Sequence, residues 1–100
     1  MPKVTKQEAQ RFLDNVPVEY VFHCCDGRSI QNLRGLRDTL ADMADDIFVY
    51  HSTPSKSDFS NWAKDVIGDK KLASDLSKAK SRSQALNAVS RRVAFLESKA

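Results

Sequence analysis

Long apolar runs are missing from this sequence of 100 residues. A membrane-spanning helix needs about 18 or more consecutive apolar residues, and no stretch approaches that length. The N-terminal residues Met1-Pro2-Lys3-Val4-Thr5 also lack the apolar centre of a signal peptide. These two absences predict a cytoplasmic protein with no membrane segment.

Cysteine is nearly absent, since the chain has only Cys24 and Cys25. Two cysteines cannot build a disulfide framework, and a bond between neighbours is strained because disulfides favour Cα atoms more than about 4 Å apart. The sequence therefore predicts reduced thiols, which fits a reducing compartment.

A strong charge of one sign is missing as well. The chain has 16 basic and 13 acidic residues, a net charge of +3. Dedicated nucleic-acid-binding domains are usually more strongly and more locally basic, so this balance permits nucleic-acid contact without indicating it. With 41% hydrophobic residues, the composition is that of a globular protein, and the length predicts one domain over residues 1–100.

The N-terminal part predicts one helix and one hairpin. Thr5 to Val16 has an apolar stripe at helical spacing, and Thr5 with Glu8 matches a capping box. Val18 to Cys24 alternates and is rich in β-branched and aromatic residues, which predicts a strand with Val18, Tyr20, Phe22 and Cys24 on one face. Asp26-Gly27 predicts a tight turn into a very short second strand, Arg28 to Ile30.

The remainder predicts helices. A stripe of apolar residues at spacings of three and four runs from Ile30 to Tyr50, and three aspartates predict a break near residues 44–46. A loop over residues 51–57 follows. Gly68 then separates a helix over 59–67, capped by Ser57 or Asp58, from one beginning at Asp69, and Ser81 with Gln84 caps the last helix.

These elements predict a mainly α fold: about five helices in a single domain, with a short N-terminal β-hairpin lying on them. The residues expected at or near the core are Phe22, Leu36, Leu40, Trp62 and Val66.

His23-Cys24-Cys25-Asp26 is the first candidate for chemistry. A structural zinc site needs four ligands, commonly in Cys-x2-4-Cys or His-x3-5-His pairs, and adjacent cysteines on a strand point to opposite faces. In such a site His51 would be a third ligand and Asp58 a fourth. A catalytic cysteine would need an activating base. We expect a buried strand and turn here, with no metal, no cofactor and no catalytic residue.

The stretch from Tyr50 to Trp62 is the second candidate. His51 and Asp58 flank a loop centred on Pro54, and aromatic residues surround it. This pattern is typical of a recognition loop for a protein or peptide, formed by Tyr50, His51, Asp58, Phe59 and Trp62. The structural alternative, which the helical spacing favours, is a turn between helices whose aromatic residues belong to the core.

The third candidate is a basic helical face. Two helices joined by Gly68 have a spacing similar to a helix-turn-helix motif, although Asp69 and Asp75 interrupt the positive charge. The alternative is a solvated helix face. The residues expected to contact nucleic acid are Lys70, Lys71, Lys78, Arg82, Arg91 and Arg92.

Residues 18–97 resemble a small family of uncharacterised, mainly archaeal proteins with a domain of unknown function. The resemblance rests on a hairpin containing Phe22 and Gly27, a Leu-rich helix, and the segments "YH", "DFSNW" and "GDKKLA". The two cysteines are outside this pattern. The resemblance brings no activity with it.

Three functions thus stay open. The leading hypothesis is a non-catalytic module that binds a protein or peptide partner. The alternative is a nucleic-acid-binding domain using the basic face, and the third is a His/Cys site.

Overall fold

The computed structural model describes residues 4–24, 27–53 and 56–100. In these residues the chain forms six α-helices and two short antiparallel β-ladders, which confirms the predicted mainly α class. The helices are α1 (Lys6–Leu13), α2 (Leu33–Asp42), α3 (Asp45–His51), α4 (Asp58–Trp62), α5 (Lys70–Lys78) and α6 (Arg82–Lys99). The strands are β1 (Phe22–His23), β2 (Ser29–Ile30), β3 (Ser52–Thr53) and β4 (Lys56–Ser57).

The N-terminal helix begins as predicted and ends early. Thr5 and Glu8 form the full capping box, each side chain accepting a hydrogen bond from the other residue's backbone N–H. The helix ends at Leu13, not at Val16, because the Val16 N–H donates to the Gln31 carbonyl at 2.8 Å. This bond ties the chain after α1 to the segment that leads into α2.

The predicted strand from Val18 to Cys24 was too long. Val18–Tyr20 is a 3-10 turn, closed by a hydrogen bond from the Tyr20 N–H to the Pro17 carbonyl. Val18 and Tyr20 are therefore exposed, whereas Phe22 and Cys24 are buried as predicted. The Tyr20 carbonyl accepts a hydrogen bond from the Trp62 indole at 2.8 Å. A side chain 42 residues away therefore satisfies a backbone carbonyl that in a strand would accept a hydrogen bond from the neighbouring strand.

The first ladder pairs Phe22 with Ile30 and His23 with Ser29. Gly27 has φ 95°, a conformation that favours glycine, and its N–H donates to the Cys24 carbonyl. Of the predicted turn pair, Asp26 lies outside the described residues. The stretch predicted as a loop over 51–57 instead holds β3 and β4, with Ser52 opposite Ser57, while Pro54 lies outside the described residues.

The apolar stripe from Ile30 to Tyr50 is divided between two helices, with the break at residues 43–44, next to the predicted position. Met43 and Ala44 are extended between α2 and α3, and Asn32 caps the start of α2. Beyond the break the helical phase changes. Phe48 and His51 turn inward in α3, and Tyr50, expected on the inner stripe, is 64% exposed.

The helix predicted over 59–67 is α4 followed by one π-helical stretch, Ala63–Ile67. Ser57 caps its start by accepting a hydrogen bond from the Ser60 N–H. Gly68 ends it at φ 89°, and the backbone N–H groups of Gly68 and Asp69 both donate to the Ala63 carbonyl. Asp69, predicted as the first residue of the next helix, is instead the N-cap of α5 and accepts a hydrogen bond from the Leu72 N–H.

The longest helix, α6, packs against α1, α2 and α5, and buries Ala85, Val89, Val93 and Leu96. Ser81 caps this helix by accepting from the Gln84 N–H; the Gln84 side chain accepts from the Lys80 N–H, so the predicted box is only half formed. Of the expected core residues, Val66 is half-buried and the others are buried: Phe22, Leu36, Leu40 and Trp62.

Within the described ranges, no helix combines the length and the apolar character that crossing a bilayer requires.

Gly68→Ala tests the junction between the two helices. A Cβ at this position would lie 3.8 Å from Phe12, so space is adequate and the cost comes from the positive φ. We expect a loss of about 1–2 kcal/mol in the free energy of unfolding, measured by urea denaturation. Ser83→Ala, at an exposed helical position in α6, is the control, and an equal effect of the two substitutions would contradict the prediction.

Candidate binding surfaces

The residues predicted to form a partner-binding loop lie mostly inside the protein. His51, Phe59 and Trp62 are buried, Asp58 is half-buried, and Tyr50 alone is largely exposed. Phe59 stacks against Phe22 and Phe48, with ring centroids 5.2 Å and 5.6 Å away. The aromatic residues of this stretch are therefore core residues, and the five side chains do not form one exposed patch.

His51 and Asp58 are brought together by β3 and β4. The His51 Nδ1 atom lies 3.0 Å from Asp58 Oδ2, although His51 is only 5% exposed. The rings of Phe22 and Phe59 meet the imidazole edge-on at 5.1 Å and 5.5 Å. The pair thus ties the end of α3 to the start of α4 and satisfies a polar group within an aromatic cluster.

The predicted metal motif is split between described and undescribed residues. His23, the last residue of β1, is exposed, and Cys24, which follows it, is buried; Cys25 and Asp26 lie outside the described residues. Among the residues that the structure does describe, no three His, Cys, Asp or Glu side chains are grouped so that they could hold a metal ion.

The six basic residues predicted to contact nucleic acid are divided among three places. Lys70, Lys71, Arg91 and Arg92 line one groove, and Lys78 lines a separate cavity. Arg82 lies elsewhere, where its guanidinium donates to the Leu40 carbonyl and pairs with Asp45. No single face presents all six.

Arg92 is part of a buried ion pair. Its guanidinium donates two hydrogen bonds to the Asp69 carboxylate, at 2.7 Å and 3.0 Å, and the Asp69 side chain is 1% exposed. The sequence predicted Asp69 only as the start of a helix and as an interruption of the basic face. The sequence carries a signal for the pair: Arg92 lies three residues after Val89 and four before Leu96, which is helical spacing on the buried face of α6.

The groove lies between α1, the start of α5 and α6, and has a volume of about 1340 Å³. We call it the basic groove. Six cationic and three acidic side chains line it together with apolar ones. The residues that carry its chemistry are Arg11, Phe12, Asp69, Lys70, Lys71, Asp75, Arg91, Arg92, Phe95 and Lys99.

Two of the cations in the basic groove are neutralised: Lys71 pairs with Asp75 at 2.8 Å, and Arg92 pairs with Asp69. Within the described part of the chain, the other four form no ion pair: Arg11, Lys70, Arg91 and Lys99. Phe95 is 40% exposed, with the Arg92 guanidinium 5.2 Å and the Lys99 ammonium 5.6 Å from its ring centroid. The basic groove therefore combines unpaired positive charge with an accessible aromatic ring.

No protein-family model, no curated protein and no solved structure matches this chain. The resemblance to the uncharacterised archaeal family stays a prediction.

Arg92→Ala tests the buried pair. The substitution leaves the Asp69 carboxylate buried without its partner, so we expect the free energy of unfolding to fall by about 3 kcal/mol. Arg91→Ala is a matched control, because Arg91 is the neighbouring exposed residue without an ion pair and should change stability by less than about 0.5 kcal/mol. Equal effects in urea denaturation would show that the Asp69–Arg92 pair adds nothing.

His51→Ala tests the second buried pair. It removes a ring from the aromatic cluster and leaves the half-buried Asp58 without that hydrogen bond, so we expect a loss of about 3 kcal/mol. His23→Ala, at an exposed position in β1, should leave the unfolding midpoint nearly unchanged. A midpoint for His51→Ala close to that of His23→Ala would contradict a structural role for the pair.

Proposed function

We propose that this protein is a non-catalytic module that binds an acidic, amphipathic segment of a protein partner in the basic groove. The observation that supports this most directly is the position of exposed Phe95, whose ring centroid lies 5.6 Å from the ammonium of Lys99, a cation that forms no ion pair among the described residues. A peptide with carboxylates beside an apolar side chain is complementary to that arrangement.

The size of the groove favours a peptide over a small molecule. Pockets for small ligands usually measure about 300–1,000 Å³, and the basic groove has about 1340 Å³. Three helices supply its unpaired cations, since Arg11 is on α1, Lys70 begins α5, and Arg91 and Lys99 are on α6. An extended or helical segment can reach all three.

The lining favours a peptide over nucleic acid. Carboxylates of Glu8, Asp69 and Asp75 interrupt the positive charge of the lining, whereas a phosphate backbone carries a negative charge at every nucleotide and needs cations along its whole length. The apolar side chains of Val4, Phe12, Ala88 and Phe95 instead suit an apolar anchor on the partner. Nucleic-acid binding by the basic face is the alternative function, so the test also includes nucleic acid.

The proposed site differs from the loop between Tyr50 and Trp62 that the sequence suggested. In that loop the aromatic side chains are used by the core, and His51 and Asp58 bind each other. Partner binding remains the leading hypothesis. The proposed site is now the basic groove between α1, α5 and α6.

The test is a ¹⁵N–¹H NMR titration of the whole chain with three synthetic peptides of equal length. One alternates Asp or Glu with Leu or Phe, a second replaces its acids by Asn and Gln, and a third replaces its apolar residues by Ser. We expect amide shifts around Lys70, Arg91 and Phe95 with the first peptide only. Duplex and single-stranded DNA are titrated in parallel at low and moderate salt.

Two variants sharpen this result. Arg91→Glu reverses an unpaired charge in the groove and should weaken binding of the acidic peptide about tenfold or more. Lys64→Glu makes the same charge change at an exposed residue outside the groove and should have little effect. Equal binding of the acidic and the amide peptide, or binding of DNA alone with a steep salt dependence, would contradict the proposal.

A further inference from the structure

A second cavity, unrelated to the basic groove, lies between the β3–β4 ladder, the start of α4 and the end of α5. Its volume is about 710 Å³, and it shares no lining residue with the basic groove. Three lysines line it, and none of the described residues that line it is acidic. We call it the lysine pocket; its charged and hydrogen-bonding residues include Ser52, Lys56, Ser57, Asn61, Lys78 and Lys80.

We propose that the lysine pocket binds a phosphate monoester group. Its volume falls within the range of about 300–1,000 Å³ typical of small-ligand sites, in contrast to the larger basic groove. Three ammonium groups around one cavity attract an anion, and a dianion with three free oxygens can accept hydrogen bonds from several of them at once. This inference does not depend on the proposed function of the basic groove.

The lysines come from separate parts of the chain. Lys56 is on β4, whereas Lys78 ends α5 and Lys80 follows it. Lys78 and Lys80 form no ion pair with any described residue, and Lys56 lies 3.6 Å from the Asp58 carboxylate. A cation at the C-terminal end of a helix stabilises that helix, which accounts for Lys78, the last residue of α5. It does not account for Lys56 facing the same cavity from a strand.

The hydroxyl groups of the lysine pocket differ in what they can offer an anion. Ser60 and Ser77 donate their protons to the backbone carbonyls of Ala73 and Ser74, so these protons are already used. Ser57 instead accepts a hydrogen bond from the Ser60 N–H, which leaves its own O–H available as a donor. Ser57 and the Asn61 amide can therefore supplement the lysines.

The β3–β4 ladder is what assembles this pocket. It places Thr53 opposite Lys56, and Ser52 opposite Ser57, so both strands contribute to one wall. The His51–Asp58 pair holds the two ends of the ladder from the buried side. One carboxylate oxygen of Asp58 lies 3.0 Å from His51 and the other lies 3.6 Å from Lys56. Asp58 is not among the residues that line the pocket.

The test is a titration of the whole chain with inorganic phosphate, followed by ¹⁵N–¹H NMR, against sodium chloride at equal ionic strength. We expect saturable shifts of the amides around Ser57, Asn61 and Lys80 with phosphate and none with chloride. The double variant Lys78→Gln/Lys80→Gln should weaken phosphate binding about tenfold, because charge-assisted hydrogen bonds to both ammonium groups are lost. Lys6→Gln/Lys64→Gln removes two positive charges at exposed residues that line neither cavity, so it is the matched control and should leave phosphate binding unchanged.

Further arms identify the source of the phosphate group. Tighter binding of a phosphoserine peptide than of free O-phosphoserine supports a phosphorylated protein as the ligand, and equal binding supports a small phosphorylated molecule. The unphosphorylated peptide should not bind in this pocket. Equal shifts with chloride, no saturable binding of any phosphate compound, or the same dissociation constant for both double variants would overturn the proposal.

Discussion

The Asp69–Arg92 ion pair is the interaction on which the arrangement of the C-terminal half depends. Asp69 is fully buried because Gly68 turns the chain back over the π-helical stretch, and its carboxylate also caps α5. The bidentate bond to Arg92 fixes α5 against α6 at the point where the basic groove opens. Without a partner, a carboxylate at this depth would be strongly unfavourable, so the junction and α6 depend on each other.

A second polar contact, between buried His51 and half-buried Asp58, connects the end of α3 to the start of α4. The His51–Asp58 hydrogen bond closes the β3–β4 ladder against the rings of Phe22 and Phe59. The two candidate binding surfaces follow from these two contacts. The basic groove lies over Asp69–Arg92, and the lysine pocket lies beside the ladder that His51 and Asp58 hold. The two polar pairs thus hold together the helices and strands from which the two surfaces are built.

Several elements were predictable because local rules govern them. The Thr5–Glu8 box, the Gly68 stop, the Asp69 cap and the break between α2 and α3 depend on residues within one turn of each other. The strand over 18–24 was overextended because Trp62, 42 residues beyond Tyr20, takes the Tyr20 carbonyl. Tyr50 was placed on the wrong side because the helical phase after the break depends on how α3 packs. Such distant contacts leave no periodic signal in the sequence.

The sequence by itself determined the mainly α class, the helix limits at caps and glycines, and most of the core, since these follow from hydrophobic periodicity and backbone chemistry. Only the tertiary structure decided which charges pair and which remain available. Arg91 and Arg92 are adjacent and chemically identical, and yet Arg92 is bound to a buried carboxylate while Arg91 faces the groove. The direction of each side chain from its helix, and what packs opposite it, assigned these roles. Helical spacing indicates that Arg92 is on the buried face of α6, but nothing in the sequence shows that Asp69 packs opposite it.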